Sequence, residues 1–170
     1  MEKTSFTPAF ISLGSNMGDS AETMSRALGL MAELDGVTLE AASSLYSTQP
    51  QGDPNQPWFI NQVAKLSCRA DVTPRRLLTD LLTIETHLGR ERETSRRFGP
   101  RRIDIDLLLF GEMVLDEPEL VIPHPRLHER AFVLVPLAEL APELVLPCGA
   151  TVSALLDSID YRLEGNRIFQ

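Results

Sequence analysis

Two hydrophobic rhythms alternate along the chain, and each marks a kind of element. An apolar run over 9–13 ends in Gly14-Ser15-Asn16 and predicts a strand leading into a loop. Asp19 or Ser20 is placed to cap the helix that follows, in which Met24, Ala27, Leu28, Met31 and Leu34 recur at helical spacing until Asp35-Gly36 stops it. Val37, Leu39 and Ala41 then alternate with polar residues toward Leu45, the period of a half-buried strand. A loop rich in Gln, Pro, Gly, Asp and Asn is expected over 48–57. Alternation returns over 58–68, with Ile60, Ala64, Leu66 and Cys68 on one face and Phe59, Asn61, Val63 and Lys65 on the other. Thr73-Pro74 starts a second helix, because proline at the first helical position gives up no N–H that the helix needs. Leu77, Leu78, Leu81, Ile84, Glu85 and Leu88 share one side of it, and Gly89 ends it. A β-branched and apolar run over 103–110, closed by Gly111, completes the order βαββαβ.

That order predicts an α+β, ferredoxin-like fold built on an antiparallel sheet. Short strands over 113–115 and 120–122 and helices over 129–140 and 151–159 are expected as additions, putting helices on both faces of the sheet. The last ten residues are expected to form a loose tail. With 170 residues, 43% of them hydrophobic, the expectation is one domain over 1–170 with its core at about 9–160.

Charge narrows the function. A formal net charge of -8 argues against nonspecific binding to nucleic acid or to an anionic membrane. No apolar run reaches the ~18 residues of a membrane span, and the N-terminus lacks a basic-then-apolar signal, so a cytoplasmic protein is expected. Cys68 and Cys148 lack paired metal-site spacing and read as reduced thiols. Positive charge is concentrated: Arg90, Arg92, Arg96, Arg97, Arg101 and Arg102 crowd into thirteen positions of an acidic chain.

Asp104-Ile105-Asp106 is the sharpest chemical feature. Strand periodicity turns both carboxylates to one face, about 7 Å apart, while Ile103, Ile105 and Leu107 face the other way. Neighbouring carboxylates repel unless a cation lies between them. Magnesium, which takes one or two carboxylates and leaves its other positions to water and phosphate, suits the pair. The alternative is an ion-pair network of these acids with Arg97, Arg101 or Arg102. Arginines beside metal-binding acids supply fork-shaped donors for phosphate oxygens, so the combination favours phosphoryl transfer. Neither common glycine-rich nucleotide loop is present, and side chains must hold any nucleotide.

The stretch Arg97-Phe98-Gly99-Pro100-Arg101-Arg102-Ile103-Asp104-Ile105-Asp106-Leu107-Leu108 closely resembles the signature of hydroxymethyldihydropterin pyrophosphokinases. Gly14-Ser15-Asn16, the run from Tyr46 to Gly52, Phe59-Ile60-Asn61, Gly89-Arg90-Glu91-Arg92, Pro123-His124-Pro125 and Arg130-Ala131-Phe132 agree in order and spacing. The resemblance extends from about Phe10 to about Ile159.

It implies transfer of diphosphate from ATP to the hydroxymethyl group of 6-hydroxymethyl-7,8-dihydropterin, with AMP released, in folate synthesis. Asp104 and Asp106 would hold two magnesium ions, with Arg97 and Arg101 completing the catalytic set. Gly14, Thr48, Gln49, Pro50, Phe59, Asn61, Phe98 and Phe132 would enclose the pterin. Glu85, Arg90, Arg92, Arg97, Arg101, Leu107, His124 and Arg130 would line the ATP side. Arg97 is preferred over Arg96 because it falls inside the signature, and the stretch between Gly89 and Ile103 is expected to close over ATP. The expected partners are ATP and the reduced pterin, with no nucleic acid or membrane, and a monomer. No residue of the signature is an evident general base. A metal-dependent nucleotide phosphohydrolase using the same acids is the rival enzyme class. An RNA-binding sheet is the rival binding module, disfavoured by the acidic balance and the absence of paired strand aromatics.

Overall fold

A computed structural model describes residues 5–91 and 99–170. The elements in chain order are β1 (Phe6–Ser15), α1 (Ser20–Ala32), β2 (Val37–Ala42), β3 (Tyr46–Thr48), β4 (Phe59–Arg69), α2 (Pro74–His87), β5 (Asp104–Phe110), β6 (Leu115–Glu117), β7 (Leu120–Ile122), α3 (Ala131–Leu140), α4 (Val152–Asp157), β8 (Arg162–Glu164) and β9 (Arg167–Phe169). The main sheet runs β5-β1-β4-β3-β9-β8, with β2 also paired to β4. Strands β2 and β3 are successive stretches along one edge of β4, so the core order β5-β1-β4-β2/β3 is that of a ferredoxin-like fold, and its pairings are all antiparallel.

Local chemistry sets the helix ends. Asp19 caps α1 by accepting from Glu22 N, and Thr73 caps α2 by accepting from Arg76 N, with Pro74 at the first turn. Gly89, just beyond α2, has φ +90°, a conformation that favours glycine and turns the chain out of the helix.

Alternation divides the sheet between two cores. Ala9, Ile11, Leu13, Ala64, Leu66 and Ile105 bury against Met24, Met31, Leu77 and Leu81 of α1 and α2. On the other face Phe10, Val63 and Leu108 bury against Leu134 and Leu137 of α3 and Val152 of α4. The β1–β5 register shifts between Phe10 and Ile11, which pair with Leu109 and Leu107. The extra residue lets the neighbours Leu108 and Leu109 both join the α3–α4 core.

Five expectations change. The strand expected to run from Val37 toward Leu45 breaks after Ala42: Ser43 N donates to Val63 O while Ser43 Oγ accepts from Val63 N, so one serine substitutes its hydroxyl for a ladder carbonyl. The expected loop over 48–57 begins one residue late, because Thr48 ends β3 paired to Phe59. The strand expected over 113–115 starts at Leu115, since Met113 N closes a turn onto Phe110 O. The tail expected over the last ten residues is instead the β8–β9 hairpin, joined by Gly165 (φ +57°) and paired in parallel to β3. The helix expected from 129 is a 3-10 turn (Leu127–Glu129), an extended Arg130 and then α3.

Candidate active site

Sheet register assembles the site. Gly14 on the central strand β1 lies opposite Asn61 of β4 on one side and Asp104 of β5 on the other. Ser12, two residues earlier, lies opposite Asp106. Paired positions point the same way, so both carboxylates, Gly14 and Asn61 share the sheet face that carries α3.

They line one pocket beyond the start of α3. Gly14, Thr48, Gln49, Phe59, Asn61 and Phe132, all expected on the ring side, border it. So do Arg101, Asp104, Asp106 and Arg130 from the phosphate side. Arg92, Arg97 and Phe98, and with them the choice between Arg96 and Arg97, lie outside the described residues. Pro50, Glu85, Arg90, Leu107 and His124 do not border the pocket.

Their surroundings give each of these another relation to it. Glu85 is 1% exposed and accepts from Ile105 N at 2.7 Å, which pins the strand between the two aspartates. Arg90 lies 3.8 Å from Asp104 Oδ1. Leu107 is buried in the α1–α2 core, facing away from the acids. His124 is tied to β5 by His124 N donating to Leu108 O, and its Nδ1 accepts from Arg126 N, so Nε2 is the ring nitrogen that carries the proton. Burial, with the Arg130 and Arg126 charges, pushes the His124 pKa down to about 4.

Ring-side geometry is tight. Asn61 is buried and donates from Nδ2 to Thr48 Oγ1 at 2.7 Å. A Cβ on Gly14 would meet Asn61 Oδ1 at 2.9 Å, so glycine here makes room for the amide. On the aromatic wall the Arg130 guanidinium sits over the Phe132 ring at 5.3 Å. Burial and then the Arg126 charge lower the Arg130 pKa, opposed by Asp106 and Asp104.

At the acid end Arg101 Nη1 donates to Asp104 Oδ2 at 2.6 Å. One of the ion pairs expected as the alternative to a metal is therefore present. Arg101 Nε and Arg130 Nε are buried and make no hydrogen bond among the described residues. Both arginines border the pocket, so each retains donor capacity suited to oxygens of a bound anion. No cluster of three or more His, Cys, Asp or Glu suited to a metal occurs among the described residues. Two carboxylates with no third protein ligand among the described residues suit magnesium, which keeps water and phosphate in its other positions, better than a closed structural site.

Sequence reading passed over Asn16, although the residue stood in a noted motif. It is buried, and its Oδ1 accepts from Arg101 N at 2.7 Å while Nδ2 donates to Gln56 Oε1 and Pro57 O. One amide thereby joins the arginine at the acid end to the loop that leads into Phe59. Ser12 and Gln51 also border the pocket unpredicted. Ser12 had a signal, two residues before Gly14 on the same strand face.

Residues 10–142 match the model of the family 7,8-dihydro-6-hydroxymethylpterin-pyrophosphokinase. Among curated relatives, 2-amino-4-hydroxy-6-hydroxymethyldihydropteridine pyrophosphokinase of Methylorubrum extorquens is 46% identical over 154 residues, 91% of this chain and 94% of that one. The protein of the same name from Pseudomonas aeruginosa is 44% identical over 152 residues, 89% of this chain and 91% of its own. Of solved structures, the Plasmodium falciparum HPPK-DHPS with pteroate superposes with a TM-score of 0.69 at 16% identity. That likeness covers 93% of this chain and 43% of the Plasmodium chain, and supports the fold. Site geometry, family match and the identities to full-length relatives agree, and the chain belongs to the 7,8-dihydro-6-hydroxymethylpterin-pyrophosphokinase family.

Proposed function

We propose that this protein transfers diphosphate from ATP to the hydroxymethyl oxygen of 6-hydroxymethyl-7,8-dihydropterin, releasing AMP, and that it requires magnesium. The observation that carries this reading is the row Asp104–Gly14–Asn61 across three adjacent strands, which sets a metal-compatible acid beside a ring-sized slot in one pocket. In the reaction the pterin alcohol oxygen bonds to the β-phosphorus and the bond from that phosphorus to the α–β bridging oxygen breaks. AMP takes the released electron pair, and the alcohol proton passes to solvent.

The chain's residues divide that work. Phe59 and Phe132 offer aromatic faces to a flat heterocycle, and Asn61, held by Thr48, reads its hydrogen-bonding edge. Asp104 and Asp106 would hold magnesium. When bound, the metal neutralises charge on the polyphosphate and on the displaced oxygen. Arg101 neutralises Asp104 before substrate arrives, and Arg101 and Arg130 then turn their remaining donors to phosphate oxygens. His124, kept neutral in the free protein first by burial and then by the Arg130 and Arg126 charges, would protonate more readily once a bound anion offsets those charges.

Incubation with ATP, magnesium and the reduced pterin tests the proposal. AMP formed in step with diphosphorylated pterin supports it. Release of ADP, orthophosphate or pyrophosphate without pterin consumption would instead establish the nucleotide phosphohydrolase.

A further inference from the structure

Residues beyond the stretch 10–142 matched by the family pair with Thr48 and bond on either side of Arg130, two residues that border the pocket. Helix α3 begins at Ala131 with Arg130 as its N-cap, and the Arg130 side chain makes no capping bond to the helix. The first-turn N–H groups of such a helix need an acceptor from elsewhere. Gln170 supplies one: Ala131 N donates to Gln170 Oε1 at 2.8 Å. The same amide donates from Nε2 to Glu129 O at 2.7 Å. A single side chain therefore grips the backbone on both sides of Arg130, the residue that, with Phe132, walls the pocket.

Gln170 is itself held in register with the ring side. Strand β9 pairs in parallel with β3, Ile168 opposite Thr48, and Thr48 is the partner of Asn61. Ile168 is buried against Tyr46, Ala131 and Val135. Phe169 packs edge-on to Trp58, with Arg167 over the indole at 4.6 Å, and Trp58 precedes Phe59. The hairpin thus touches the neighbours of the pocket at three points, and at Gln170 it brackets the backbone of Arg130, whose guanidinium lies within the field of Asp106 and Asp104.

We infer that Gln170 is a positioning residue for the substrate pocket, its amide fixing the backbone at Arg130 so that Arg130 and Phe132 face the bound substrates correctly. The inference rests on the pocket being the diphosphate-transfer site proposed above.

A double-mutant cycle on the intact chain tests it, with AMP release and thermal denaturation measured for Gln170→Ala, Arg130→Ala and the double variant. Loss of the amide should lower kcat/KM about fivefold, the worth of about one helix-start hydrogen bond. In the Arg130→Ala background the same change should cost less than about twofold, because a residue acting through Arg130 has nothing left to position. Gln170→Glu keeps the acceptor toward Ala131 N but sets a carboxylate oxygen against Glu129 O, so it should lower kcat/KM at least as much as Gln170→Ala. If Gln170→Ala does not fold, Gln170→Glu takes its place in the cycle. An equal loss in both backgrounds, or no loss at all, overturns the inference while leaving the pocket assignment intact. Full turnover in Arg130→Ala overturns the pocket assignment and the inference with it.

Discussion

Replacing Asn16 separates the two halves of the site, and the outcome can be worked from its bonds. Asn16→Ala removes an acceptor for Arg101 N and donors to Gln56 Oε1 and Pro57 O, while the backbone bond from Asn16 N to Arg101 O survives. At about 1 kcal/mol net per hydrogen bond, the loss is about 3 kcal/mol. For a chain of this size each 1 kcal/mol moves Tm by roughly 2–4 °C, so Tm should fall by about 6–12 °C. The informative variant is Asn16→Asp. It keeps an oxygen for Arg101 N but turns a carboxylate oxygen toward Gln56 Oε1 and the Pro57 carbonyl, so repulsion falls on the loop leading to Phe59. Calorimetric titration well below Tm should show pterin affinity reduced about tenfold or more, the effect of about 1.4 kcal/mol, with affinity for a non-hydrolysable ATP analogue within about twofold of wild type. Equal losses for the two ligands, or none, would refute the view that this amide joins two separable halves.

Asp104→Ala and Asp106→Ala should each lower turnover by at least about 10²-fold with the circular dichroism spectrum retained, since both acids are proposed to hold the metal and lie outside the cores; magnesium-dependent turnover near wild type in either would contradict the metal assignment. Gly14→Ala places a methyl 2.9 Å from Asn61 Oδ1, so it should cost about 1–3 kcal/mol by overpacking and weaken pterin binding more than ATP binding, as calorimetry can show. His124, depressed from 6.5 to about 4, should stay neutral in the free protein until pH nears 4. Because its folded pKa lies below the unfolded value, its share of stability is full above about pH 6.5 and is lost as pH falls toward 4. Bound nucleotide should raise that pKa, so affinity should increase as pH falls through the same window; an imidazole NMR titration midpoint near 6.5 without ligand would count against this.

Periodicity was a sound guide where one face of a strand is apolar and the other is not. The split of Ile60, Ala64, Leu66 and Cys68 from Phe59, Asn61, Val63 and Lys65 is the split between the α1–α2 core and the face that carries Val63 in the α3–α4 core and Phe59 and Asn61 in the pocket. What failed to show in the pattern depends on single polar side chains acting at long range. The break at Ser43 rests on one hydroxyl bonding Val63, and an alternating sequence gives no sign of it. The bond from Asn16 to Arg101 spans 85 positions, and no local rule relates two such residues. The terminal hairpin had a signal that went unused: Gly165-Asn166 between two short segments, each with one apolar residue at its centre. Its strands are three residues each, too short for alternation to distinguish them from a tail.

The row from Asp104 through Gly14 to Asn61 also acts as a ruler. Two strand spacings separate the acid from the amide, about 10 Å, and backbone hydrogen bonds alone set that length. Side chains at either end can change without altering it, whereas a slip of one residue would turn the whole row to the opposite face. On the proposed assignment the separation between the acid end and the ring edge is therefore set by the sheet, and any single molecule made to occupy both ends should match that span or lose one of them.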